Sequence, residues 1–199
     1  MNWRDGDVAF LKWSDQFNEE EKRGLLDSGQ LHPRSTGHPV IILYRSGDAK
    51  HYIVTTVSAY SSGEMNGFLP PWEQAAHGRK FKDDFRAFEG SARPNNKFKC
   101  LRLKDSQQWP KPRTSWVFVK RPYLVPASAL IIYTKARSRL SMTPESLEDL
   151  RQHMGHRSGI RQLKMELDKK SLGRSHQKPD KNKSSVENDR LKQPWRRCG

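Results

Sequence analysis

Gly37-His38-Pro39-Val40-Ile41-Ile42-Leu43-Tyr44, then Arg45-Ser46-Gly47-Asp48-Ala49-Lys50, then His51-Tyr52-Ile53-Val54-Thr55-Thr56-Val57-Ser58-Ala59-Tyr60 is the stretch that decides the fold. The first block is a continuous apolar run bounded by Gly/Pro and by Ser-Gly-Asp, the pattern of a buried strand ending in a turn. The second is rich in β-branched and aromatic residues. So short a separation predicts an antiparallel hairpin.

On the N-terminal side, Asp7 to Trp13 (DVAFLKW) suits a first strand. Asn18 with Glu21 three positions later forms a capping box, predicting a helix to about Asp27, with Gly29 placed to stop it. On the C-terminal side, glycines and prolines from Ser61 to Asn96 predict a long loop with small helical pieces, one starting at Trp72. Phe98 to Leu103 (FKCLRL) alternates apolar and basic and reads as a half-exposed strand. Ser115 to Val119 and Ala129 to Thr134 are two further strand candidates around the kinked Pro122 to Pro126 segment. Thr143 followed by Pro144 predicts a helix burying Leu147, Leu150 and Met154, and a second helical stretch covers Ile160 to Leu172.

Five or six short strands with a long insertion predict a mainly β (α+β) fold, a small β-barrel with helical insertions and a C-terminal helix. Residues 1–135 read as the barrel, 136–172 as a C-terminal helical segment and 173–199 as a disordered basic tail, whose few apolar side chains cannot offset the entropy of ordering it.

The 199 residues carry a formal charge of +15 at pI near 10.0, so the partner class favoured is a polyanion, RNA or another nucleic acid. The last 65 residues hold 17 Lys+Arg against 8 Asp+Glu, which makes them the densest positive part. Cys100 and Cys198 form neither a disulfide framework nor a metal set, and no apolar run approaches the ~18–20 residues of a membrane span. The start lacks a signal-peptide core, and the expected compartment is cytoplasmic or nuclear. No Gly-rich phosphate loop or serine elbow is present, and no cofactor is implied.

Gly6-Asp7-Val8-Ala9-Phe10-Leu11, Gly37-His38-Pro39-Val40-Ile41-Ile42-Leu43 and Ile53-Val54-Thr55-Thr56-Val57-Ser58 resemble, in that order, the PemK/MazF-like group. Ser115-Trp116-Val117 and Val125-Pro126-Ala127-Ser128-Ala129-Leu130 extend the likeness, which spans roughly residues 6–154. The resemblance implies an SH3-like barrel, metal-independent endoribonuclease activity on single-stranded RNA, and a homodimer. In the toxins a Gly-x-Arg-Pro-like segment supplies an arginine, and a Thr or Ser on the next strand completes the pair. Here Gly37-His38-Pro39 leaves no place for that arginine, and Arg34 lies three residues before Gly37.

Cleavage through the ribose 2′-hydroxyl needs a base, an acid and a cation near the phosphate. Arg34, His38, Thr55 and Thr56 are the catalytic candidates, with His51, at the start of the next strand, a candidate nucleic-acid contact. Equally, His38 can be a turn residue and the threonines plain strand formers. Trp72, Arg79, Lys80, Lys82 and Arg86, interleaved with Phe81 and Phe85, form a candidate nucleic-acid surface, joined later by Trp109, Lys111 and Arg113. Packing of those phenylalanines onto the barrel fits the same spacing. Lys169, Lys170, Arg174, Arg196 and Arg197 are candidate phosphate contacts of the basic arm, which also suits nuclear import or simple solubilisation. His153 and His156 lack a partner to complete a metal set. Two other classes remain open: a non-catalytic module that binds a peptide or a modified histone tail, and an accessory protein acting through protein contacts.

Overall fold

A computed structural model describes residues 2–75 and 81–172, with Leu172 in its backbone only. The predicted hairpin is present: β2 (Pro39–Arg45) and β3 (His51–Ser58) pair antiparallel with Val40 opposite Thr56 and Ile42 opposite Val54. With β1 (Val8–Leu11), β4 (Phe85–Ala87), β5 (Trp116–Pro126) and β6 (Leu130–Ile131) it makes a six-stranded antiparallel sheet in the order β4-β5-β3-β2-β1-β6. The protein is a small α+β domain.

Strand alternation divides the apolar residues into two cores. Val8, Ile41, Leu43, Ile53, Val57, Val117 and Val119 meet Leu147, Leu150 and Met154 of α2 (Pro144–Arg157) and Ile160 and Leu167 of α3 (Ile160–Leu172). Their neighbours Ala9, Leu11, Val40, Ile42, Tyr52 and Val54 meet Trp3 from before β1 and Phe17, Leu25 and Leu31 of the segment between β1 and β2. The sheet is thus covered by the C-terminal helices on one face and by this insertion on the other. Each fully buried large apolar side chain contributes about 1.5–3 kcal/mol, so both layers are strongly held.

The capping box forms as read: Asn18 Oδ1 accepts from the Glu21 N–H at 2.8 Å, and Glu21 Oε2 from the Asn18 N–H at 3.0 Å. Only Glu19–Glu21, α1, is regular α-helix; the chain then widens into π-helical turns over Lys22–Asp27, which bury Leu25. The Thr143 cap of α2 also forms, its side chain accepting from the Ser146 N–H.

Four expectations are corrected. Phe98 to Leu103 is not a strand: Leu101 and Leu103 make isolated bridges to Phe88 and Met142, and their one-sided burial produced the alternation. Phe85–Ala87, inside the segment read as loop, is strand β4. The kinked 122–126 segment continues the 116–119 strand into one strand of 11 residues, while β6 keeps only two of the six residues expected at 129–134. Finally, no ladder joins β4 to β6, so the sheet is open and not a closed barrel. The outer side of β4 is already occupied by the Leu101 segment, whose N–H donates to the Ala87 carbonyl.

Candidate nucleic-acid interface

β5 breaks its pairing with β3 at one place. Thr55 lies opposite Pro122 and Val57 opposite Val117, so four residues of β5, 118 to 121, stand over Thr56 alone. Pro122 has no N–H to give to a ladder and restricts Arg121 to extended backbone, which suits an irregularity at this point. Val119 and Leu124 both enter the core under the helices although five positions separate them, so the alternation is reset between them. Tyr123 then faces the insertion side, and the Arg121 charge acts on Tyr60, which packs against the Phe85 cluster.

On that insertion side the reset leaves a gap between two apolar clusters. One holds Val40, Val54 and Tyr123; the other holds Phe85, Ala87 and Trp116, with Tyr60, Trp72 and Phe118 packed against it. Alternation puts half-buried Thr56 and Ser58 in the gap, and continuing the β2 ladder brings His38 opposite Ser58. The result is a polar strip across an otherwise apolar sheet face.

Local turns fix its side chains. Arg34, exposed, belongs to a 3₁₀ turn over Pro33–Ser35, and Ser35 Oγ lies 2.7 Å from the Tyr123 hydroxyl. Burial pushes the His38 imidazole below its ordinary pKa, and a hydrogen bond to the Arg34 backbone carbonyl opposes that only in part. His38 is therefore neutral at pH 7. Burial raises the Tyr60 hydroxyl; nearby Tyr123 adds to the shift, while the Arg121 guanidinium opposes it. Tyr60 and Ser61 both hold left-handed backbone, φ 52° and 59°, a costly conformation for residues with a Cβ. Gly37, at φ +70°, lies against the Trp13 ring and sets the entry to His38.

His38, Ser58 and Tyr60 also line a groove of about 490 Å³ that runs round the end of the sheet, with Phe10, Trp109, Tyr133, Lys111 and Lys135. The Phe10 and Tyr133 rings stack in parallel with centroids 6.1 Å apart, and Trp109 is tilted against Tyr133 at 6.2 Å. Lys111 and Lys135 are exposed and make no ion pair with another described residue. Aromatic faces beside free cations can hold stacked bases and phosphates together.

The other expected residues lie elsewhere. Thr55 is completely buried on the helix-covered side, its hydroxyl without a hydrogen-bond partner, so it does not join Thr56 and His38. His51 starts β3 at the opposite end of the hairpin, roughly 20 Å from His38 at ~3.3 Å per residue, in a pocket with Glu20, Glu21 and Lys170. Arg86 is 0% exposed: it pairs with the Asp149 carboxylate, donates to the Lys99 carbonyl at 3.0 Å and lies over the Phe98 ring. A guanidinium so enclosed cannot meet a polyanion, which corrects its expected role. Trp72 packs against Phe85 and Trp116. Lys82, Lys169 and Lys170 are exposed, away from the strip in sequence and element. Arg79, Lys80, Arg174, Arg196 and Arg197 lie outside the described residues.

Tyr60, Tyr123, Lys135 and Arg121 were not legible as site residues. The one available signal was Lys120-Arg121-Pro122, two cations before a proline in a strand-forming run.

Comparison of this chain with protein-family profiles, curated proteins and solved structures finds no match. Among the described residues no helix is long and apolar enough to cross a membrane, and no group of three or more His, Cys, Asp or Glu lies together as a metal set.

Proposed function

We propose that this protein binds single-stranded RNA along the polar strip and its adjoining groove, on an SH3-like, PemK/MazF-like arrangement of strands. The observation that carries the reading is the position of His38. A neutral imidazole stands where a strip of hydroxyls opens into a groove walled by the half-buried rings of Phe10, Tyr60 and Tyr133 and by two lysines that make no ion pair with another described residue. Stacking on such rings contributes roughly 1–3 kcal/mol per base, and lysines add salt-dependent phosphate attraction. The order of β1, the β2–β3 hairpin, β5 and a terminal helix agrees with the resemblance.

The groove supports binding more fully than cleavage. His38 supplies a base, and Tyr60, protonated at neutral pH, a hydrogen-bond donor. No arginine follows Gly37, and of the two threonines only Thr56 reaches this side. Three aromatic rings also suit a methylated ammonium ligand, but Lys111 and Lys135 at the rim oppose a cationic occupant.

The test incubates wild-type and His38→Ala protein with a single-stranded RNA in EDTA and reads retention and cleavage on gels. Retention that weakens with salt is expected. Cleavage by the wild type and not by His38→Ala adds the nuclease chemistry of the resemblance; absence of retention overturns the proposal.

A further inference from the structure

The bulge in β5 presents two consecutive cations, and they have different fates. Lys120 Nζ lies 2.8 Å from Asp84, whose carboxylate is 4% exposed, and also sits over the Phe81 ring. Its charge is committed within the fold. Arg121 is exposed and makes no ion pair with another described residue.

Arg121 belongs to the irregular segment that stands over Thr56, next to the point where Tyr123 returns to the insertion side of the sheet. Its charge is felt at Tyr60, and Tyr60 lines the His38 groove. Arg121 therefore stands at the end of the polar strip away from Lys111 and Lys135, which lie in the groove proper. A strand seated against His38 and leaving past Tyr60 would bring its next phosphate to this guanidinium. Arginine suits that task, because its planar fork can give two parallel hydrogen bonds to phosphate oxygens.

We infer that Arg121 is a phosphate-binding residue for RNA that crosses the strip from the His38 groove, and that the bulge in β5 exists to display it. The inference rests on the RNA reading above and names a contact that neither the sequence motifs nor the resemblance contains.

The experiment measures binding of the full chain to a labelled single-stranded RNA of about twelve nucleotides by fluorescence anisotropy, from about 50 to about 200 mM salt. Wild type, Arg121→Ala, Arg121→Lys, Lys120→Ala and Lys135→Ala are compared, with thermal melting of each as the check on folding. Arg121→Ala should weaken binding roughly fivefold and lower the slope of log K against log salt by about 0.7, the value for one contact on a single strand. Arg121→Lys should restore the slope but only part of the affinity, and Lys120→Ala should stay within about twofold of wild type. An unchanged slope for Arg121→Ala, beside weakened Lys135→Ala, overturns the inference and leaves the RNA reading standing. An equal loss for Lys120→Ala also overturns it, since general charge then suffices. Failure of the wild type to bind overturns the RNA reading itself.

Discussion

Thr55 and Thr56, adjacent in β3, belong to opposite sides of the sheet: Thr55 is sealed beneath the C-terminal helices, while Thr56 lies half-buried in the polar strip. Because the Thr55 hydroxyl has no partner, it brings a desolvation cost without a compensating bond. Thr55→Val should leave RNA binding unchanged and raise stability by up to about 1 kcal/mol in urea unfolding. Thr56→Val should instead weaken RNA binding roughly threefold with little change in stability. The reverse pattern would move the site to the other face.

Gly37 is held at φ +70°, and a Cβ there would stand 2.1 Å from the Trp13 ring. Left-handed backbone costs an alanine about 1 kcal/mol, and the ring must also move. Trp13 is half exposed, so it can swing outward. Gly37→Ala should lower stability by about 1–2 kcal/mol, shift tryptophan fluorescence and weaken RNA binding through the displaced His38. A variant with wild-type melting and fluorescence would show that this packing is dispensable.

Arg86 joins β4 to α2 through Asp149 and stacks over Phe98, all without exposure of its own side chain. Breaking a buried pair costs roughly 3–5 kcal/mol when a charge is left uncompensated. Asp149 is 43% exposed and can be rehydrated, so Arg86→Ala should cost about 3 kcal/mol, the lower end. Folded Arg86→Ala protein should bind RNA as wild type does. Loss of RNA affinity in a variant of unchanged stability would return Arg86 to the binding surface.

His153 is 7% exposed, is stacked on Phe98 with centroids 4.1 Å apart, and completes no hydrogen bond at either ring nitrogen. Burial, then Arg86 and Arg157, push it down to about 4; the Asp83 carbonyl, short of a completed hydrogen bond, opposes weakly. In the unfolded chain it titrates near 6.5. Between those values the unfolded chain holds the proton and the folded one does not, so stability is complete above the window and falls as pH drops through it. From about pH 7 to about pH 5 this residue should remove up to about 2 kcal/mol, read by urea midpoints. His153→Leu should lose less over the same range. An identical pH dependence in both would assign the loss to other groups.

The hairpin, the Asn18 capping box and the Thr143 cap were legible because each depends on neighbours within a few residues. His38 was legible as a candidate through its place before Pro39. What could not be read is set by contacts distant in sequence. Phe98 to Leu103 carries a strand's period, yet its partners, at Phe88 and Met142, give it only isolated bridges. Arg86 looks like a surface cation until Asp149, 63 residues away, encloses it. His38 and His51 seemed neighbours along the chain, although an antiparallel hairpin necessarily puts them at opposite ends.

The irregularity in β5 also constrains how this chain can change length. Val119 and Leu124 share one core only because the segment between them carries an odd step. Removing a single residue from 120–122 would leave an even step between Val119 and Leu124, which plain alternation satisfies, so Tyr123, Leu124 and Val125 would keep their sides and the irregularity would no longer be needed. Insertions or deletions of two residues would keep the step odd and so keep the irregularity. A solitary deletion here therefore straightens the strand without inverting its second half, whereas paired changes in length preserve the bulge.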